Sequence, residues 1–278
     1  MPAGSVVVPS GKWGKTAPRA SADGRIRPSV RPVTRAADGT VGGGAGSGPA
    51  VSPVRPLSSA PVLAAALVTF AIGHSVQGRP IEATRVGDPA APVHVLVVGD
   101  VHGNEPAGEA IVARLRRARL SGVAFWLVRT ANPDGRALGT RQNARGVDLN
   151  RNFPYRWAAA ARGTYYPGPR PASEPETRAV MKLVRRVRPQ LAIYYHQHLG
   201  ITVRERGGDL SVEREYARRT GLPLRSLPDY HGTAVSWEDR EVPGGTAFVV
   251  ELRAGPANAA RHARAVLALA RRYRAASR

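Results

Sequence analysis

The stretch "VHVLVVGDVHGNEPAGEAIVARLRRARL", residues 93–120, changes its hydrophobic period halfway along. Residues 93–98 are an almost unbroken apolar run of strand length, closed by Gly99 and Asp100. Beyond Pro106 the apolar residues Ile111, Val112 and Leu115 recur at helical spacing, and this predicts a helix over 106–120. A buried strand, a polar turn and a helix make one βα unit. The unit recurs: "PIEATRV" (80–86), "VAFWLVR" (123–129), "QLAIYYH" (190–196) and "TAFVVEL" (246–252) read as strands, and 174–187, 213–220 and 257–276 as helices. Strands apolar on both sides and interleaved with helices predict an α/β fold, a mixed, mainly parallel twisted sheet with helices on both faces.

Working outward, residues 1–60 are rich in Gly, Pro, Ser, Ala and Arg, with "VGGGAGSGPAVSP" (41–53) at their centre. Such a stretch buries too little apolar surface to offset its ordering entropy and reads as a disordered leader to a folded domain over 61–278. The apolar run "PVLAAALVTFAI" (61–72) is too short to span a bilayer as a helix. Its end, "VTFAI", reads as the first strand of the domain, although the run also looks like the core of a signal sequence, so export and retention both stay open. No transmembrane helix is expected.

The net charge is +21, but only three of the 41 basic residues are lysines (Lys12, Lys15, Lys182) and the arginines are spread along the chain. That distribution argues for compositional bias, and no dedicated nucleic-acid binding is expected. The chain has no cysteine, so any metal it holds is held by His, Asp or Glu.

In α/β sheets, ligands bind beyond the carboxyl ends of strands. His102 and Glu105 follow the end of 93–99, His196 ends 190–196, Glu251 closes 246–252, and Asn132 and Asp134 follow 123–129. A three-ligand metal site needs one further histidine beside His102 and Glu105, and "YYHQHLG" offers both His196 and His198. His196 is preferred because it lies nearer the apolar run. A carboxylate at the end of so apolar a strand as Glu251's is costly unless it is paired, with Arg253 for example, or functional. "RQNARGVDLNRN" (141–152) groups arginines with amides, a combination that grips a carboxylate in bidentate fashion. "NPDG" (132–135) reads as a turn, and Ser173 with Glu176 as a capping box ahead of the helix at 174–187.

Taken in order, "HGNE" (102–105), "NPDG", "GVDLNRNFP" (146–154), "YYPGPRPASEPET" (165–177), a histidine after a strand and a final "ELR" (251–253) resemble the zinc metallocarboxypeptidase family, and within it the murein peptide amidases. The resemblance runs from about residue 73 to the C-terminus. It implies a zinc carboxypeptidase-like fold with one Zn2+ per chain, ligated by His102, Glu105 and His196. Glu251 would be the base that activates water, and Arg141 would polarise the scissile carbonyl. Asn150 and Arg151 would bind the substrate's free carboxylate, with Asp148 orienting His102. The implied reaction is hydrolysis of a C-terminal amide bond in a short peptide, here a peptidoglycan peptide cut at its γ-D-glutamyl-diaminopimelate link. Alternatives are carboxypeptidase action on L-peptides and N-acyl amino acid amidohydrolysis of the succinylglutamate desuccinylase and aspartoacylase type. One departure stands out: no tyrosine follows Trp237, where "EDRE" would present an acidic loop to a substrate ammonium group.

Overall fold

A computed structural model describes residues 67–277. The leader read over 1–60 and the start of the apolar run at 61–66 lie outside the described residues. Strands β1 (Leu67–His74), β2 (Pro80–Val86), β3 (Val93–Val98), β4 (Val123–Val128), β5 (Leu191–Val203), β6 (Leu224–Arg225) and β7 (Thr246–Arg253) form one sheet. Its order is β1-β2-β4-β3-β5-β6, with β7 also paired to β5. β1, β2 and β4 pair antiparallel, whereas β3 pairs parallel with both β4 and β5. The sheet is therefore mixed and parallel where β3, β4, β5 and β7 meet, as the sequence predicts.

The alternation along each strand sends side chains to two cores. Leu96, Val98, Ala124, Trp126, Ala192 and Tyr194 pack on one face with α3 (Pro175–Val187) and α5 (Ala234–Glu241). Val95, Val97, Phe125, Leu127, Ile193 and Tyr195 pack on the other with α1 (Ala107–Leu115), α4 (Leu210–Thr220) and α6 (Ala259–Ala276). Both faces are covered, and that is why these strands carry so few polar residues. Among the described residues no helix is long and apolar enough to cross a membrane.

Several local readings change. α1 ends at Leu115 rather than 120, because Arg117 N and Ala118 N turn back to the carbonyls of Arg114 and Leu115 and tighten the last turn. "NPDG" opens a helix, α2 (Pro133–Leu138): Asn132 caps it by accepting from Gly135 N at 2.9 Å, and Pro133 occupies the first helical position. Ser173 and Glu176 form no capping box. Ser173 Oγ donates to Glu174 Oε1, and Glu176 accepts from Val76 N and Asn143. The reversal of β5 was also not visible in the sequence. Residues 191–198 follow β7 in parallel register, after which Ile201 pairs with Glu251 and Thr202 with Val250, so the register runs backwards along β7. Gly200 makes the turn at φ +68°, a left-handed conformation that glycine adopts without strain.

"SWEDRE" is not an acidic loop. It lies in α5, capped by Thr233, with Glu238 buried and its Oε2 accepting from the Tyr194 hydroxyl. Asp239 accepts from Ala247 N at 3.1 Å, and Glu241 pairs with Arg185 at 2.9 Å. Burial pushes the Glu238 carboxyl up from 4.5 to about 8, and burial likewise raises the fully buried Glu213 to about 7. The folded chain then holds protons that the unfolded chain releases near its ordinary carboxylate pKa, so stability falls as pH rises from about 5 to about 8. In Glu238→Gln, which stays neutral and keeps an oxygen for Tyr194, the loss between those pH values should shrink by a few kcal/mol, read from melting curves at pH 5 and pH 8. Equal losses in variant and wild type would show that Glu238 is ionised throughout.

Candidate metal centre

The polar residues gather beyond the end of β3, midway along β5 and near the end of β7. The chain leaves β3 through Gly99 and Asp100 and closes a turn in which Glu105 N donates to His102 O at 2.7 Å. This turn presses against the start of α2. A Cβ on Gly103 would lie 1.9 Å from the backbone carbon of Gly135, so only glycine fits between His102 and Glu105. β5 delivers His196 in register with Glu251 on β7.

His102 Nδ1 and His196 Nδ1 each lie 2.9 Å from Glu105 Oε2 and 3.0 Å from each other, and all three residues are buried. His102 Nε2 lies 3.0 Å from Asp148 Oδ1. A carboxylate only accepts, so Nε2 carries the proton of the neutral ring and Nδ1 presents a lone pair. Burial pushes the Asp148 and Glu105 carboxyls up, but His102, joined by Arg141 at Asp148 and by His196 at Glu105, more than reverses this and holds both well below the usual range. Burial alone would lower His102, but Asp148 and Glu105 outweigh it and raise its pKa. The His102 lone pair, a second imidazole nitrogen from His196 and an anionic oxygen thus converge on one point, which favours a cation there. The spacing is close to the edge of roughly 3.3 Å expected for a tetrahedron with metal–ligand bonds of ~2.0–2.1 Å. Among the described residues this is the one His, Asp and Glu group whose ligand atoms all lie within 4.8 Å of one another. His198, the other histidine of "YYHQHLG", lies two residues farther along β5, is exposed and takes no part.

Arg141 braces the centre. Its Nε and Nη2 donate to Asp148 Oδ2 at 3.0 and 2.9 Å, and its Nη1 donates to Glu105 Oε1 at 3.1 Å. Asp148 also accepts from Asn150 N at 2.9 Å, capping a short 3-10 turn, Leu149–Arg151. Asn150 Oδ1 accepts from Ala234 N at 2.9 Å, and its Nδ2 lies 3.4 Å from His196 Nε2. Glu251 is half-buried, and its Oε2 is shielded from solvent with no hydrogen-bond partner among the described residues. The pairing with Arg253 that would make it a structural carboxylate is not formed. His102, Glu105, His196, Asp148, Arg141 and Asn150 are thus connected by these contacts, Glu251 stands in register with His196, and Arg151 follows Asn150 in the same short turn.

Two aromatic residues went unnoticed in the sequence. The Arg151 guanidinium lies over the rings of Tyr230, at 4.3 Å, and Tyr165, at 5.6 Å, and Arg141 lies over Tyr165 at 5.1 Å. Such stacking orders the guanidinium planes without consuming their N–H donors. Tyr230 lies ahead of Trp237 in the chain, not after it.

Asp148→Asn should weaken metal binding about 10–100-fold, because the amide can donate to His102 Nε2 and release the proton arrangement that leaves Nδ1 free. Competitive titration against a chromophoric chelator measures it. Unchanged affinity would separate Asp148 from the centre.

The sequence profile of the zinc carboxypeptidase family matches residues 65–203. Murein peptide amidase A of Escherichia coli (strain K12) is 34% identical over 158 residues, 51% of this chain and 64% of that protein. The Vibrio campbellii protein of the same name is 28% identical over 165 residues, 53% of this chain and 66% of that protein. The chain thus spans just under two thirds of the length of these curated relatives. Among solved structures, the murein-tripeptide amidase of Escherichia coli O157 superposes with a TM-score of 0.57 at 26% identity, covering 74% of this chain and 91% of that one. The carboxypeptidase A of Helicoverpa armigera shares the fold, with a TM-score of 0.65 at 18% identity, covering 76% and 69%.

Proposed function

The chain belongs to the zinc carboxypeptidase family, and from that premise we propose that it is a zinc-dependent amidase that hydrolyses a C-terminal amide bond in a short peptidoglycan peptide, at the γ-D-glutamyl-diaminopimelate link. The observation that carries the reading is the convergence of His102, Glu105 and His196 on one point, with Glu251 in register beside them. These three residues would hold one Zn2+, which when bound supplies Lewis acidity toward a water and the scissile carbonyl.

The chain's own groups do the rest. Glu251 takes the proton of the attacking water at its unpartnered Oε2 and passes it to the leaving amine. Arg141, at the rim of the centre, donates to the oxygen on which negative charge develops. Asn150 and Arg151 bind the free carboxylate of the substrate, and Tyr165 and Tyr230 hold the Arg151 guanidinium. Asp148 keeps His102 in the tautomer that presents Nδ1. The murein peptide amidases among the relatives favour the peptidoglycan substrate over ordinary L-peptides. Glu238 and Asp239 do not select it, since both are engaged inside the fold.

The test is product analysis by mass spectrometry. The full chain, loaded with zinc, is given L-alanyl-γ-D-glutamyl-diaminopimelate and a panel of L-peptides, with and without a chelator. Chelator-sensitive release of diaminopimelate is expected. Release of C-terminal residues from L-peptides alone would replace the substrate, and hydrolysis that survives chelation would remove the metal.

A further inference from the structure

We propose that the chain carries a second binding site, for a phosphorylated organic molecule, in a cavity beside the segment that holds Asp148. The cavity measures about 470 Å³ and is lined by Arg145, Arg162, Arg170, Tyr166, Val147 and Glu174, among others. It is not part of the metal centre. Val147 faces the cavity, whereas the next residue, Asp148, turns its carboxylate to His102. Tyr166 lines the cavity and accepts from Asp148 N at 2.8 Å, whereas Tyr165 lies over Arg141 and Arg151. Two neighbouring pairs of residues thus divide between two sites.

The charges indicate what the cavity takes. Three arginines and one glutamate line it, a formal surplus of 3 − 1 = +2. Glu174 is buried and occupied, accepting from Asn143 Nδ2 at 2.8 Å and Ser173 Oγ at 2.7 Å, and its approach to Arg145 is loose at 3.7 Å. Among the described residues Arg162 and Arg170 form no ion pair with an acid, and Arg162 lies over the Tyr166 ring at 5.0 Å. A phosphate monoester carries close to two negative charges at neutral pH and presents oxygens that match guanidinium forks. The volume falls in the range of roughly 300–1,000 Å³ typical of small-molecule sites, more than a lone phosphate needs. Tyr166, Val147 and Pro169 offer an apolar wall for the organic part.

Calorimetric titration of the full, metal-loaded chain with phenyl phosphate and with inorganic phosphate tests the site. Wild type should bind phenyl phosphate at least about 10-fold more tightly than inorganic phosphate. The double variant Arg162→Ala/Arg170→Ala, both exposed positions, should weaken phenyl phosphate at least about 10-fold with hydrolytic activity unchanged. Arg218→Ala/Arg264→Ala removes the same charge from exposed positions on α4 and α6 and should cost less than about threefold. No binding by wild type would overturn the proposal. So would equal weakening in both double variants, which would mark general attraction to a basic protein, or unaltered binding in Arg162→Ala/Arg170→Ala, which would place the phosphate elsewhere.

Discussion

Glu251→Gln should retain its metal and lose at least about 100-fold in kcat, the scale on which removing a general base acts. Glutamine matches glutamate in shape and stays in register with His196, but it cannot take a proton at neutral pH. The ligands themselves are untouched, so metal content, measured on the purified variant, should equal wild type while turnover collapses. KM should change little, since Asn150 and Arg151, proposed to bind the substrate carboxylate, are on a different segment. Unchanged turnover would remove Glu251 from the role of base, and metal lost along with turnover would make it a ligand.

Arg141→Ala should lower kcat by roughly 10²–10³-fold, the cost of removing one preorganised donor to a developing oxyanion. Its effect should fall on kcat and kcat/KM alike, because the proposed donor would meet charge that exists only in the transition state. Arg141 also binds Asp148 and Glu105, so metal affinity has to be followed in parallel to separate its direct contribution from support of the centre. If KM rises while kcat holds, Arg141 and Arg151 have exchanged roles and Arg141 grips the substrate carboxylate.

The sheet and its helices were legible because their signal is local: unbroken apolar runs such as 93–98 mark strands covered on both faces, and α3 and α6 show helical spacing over many turns. α2 and α5 escaped notice for the opposite reason. At six and eight residues they are too short for a period to accumulate, and an Asn-Pro pair that reads as a turn also makes a good helix start. The acidic residues of α5 look like surface residues in sequence, and only the fold shows that Tyr194 reaches Glu238. At the metal centre, His102, Glu105, His196 and Glu251 could be gathered in advance because each falls at or just beyond the end of an apolar run. The choice between His196 and His198 was harder: an alternating strand would place them on the same side, and only the fold shows His196 buried and His198 exposed. Tyr165 and Tyr230 were out of reach because stacking on an arginine leaves no spacing pattern in the chain.

The doubling back of β5 has a consequence for how the molecule fails under heat. Glu251 has backbone neighbours on two sides, His196 from one limb of β5 and Ile201 from the other. Fraying at a terminus or the opening of a single loop cannot separate the proposed base from the histidines, because both limbs and β7 would have to part together. Such interlocked segments exchange their amide hydrogens only through the largest openings of a protein. Activity and the native fold should therefore disappear at the same temperature, with no intact but inactive species preceding collapse.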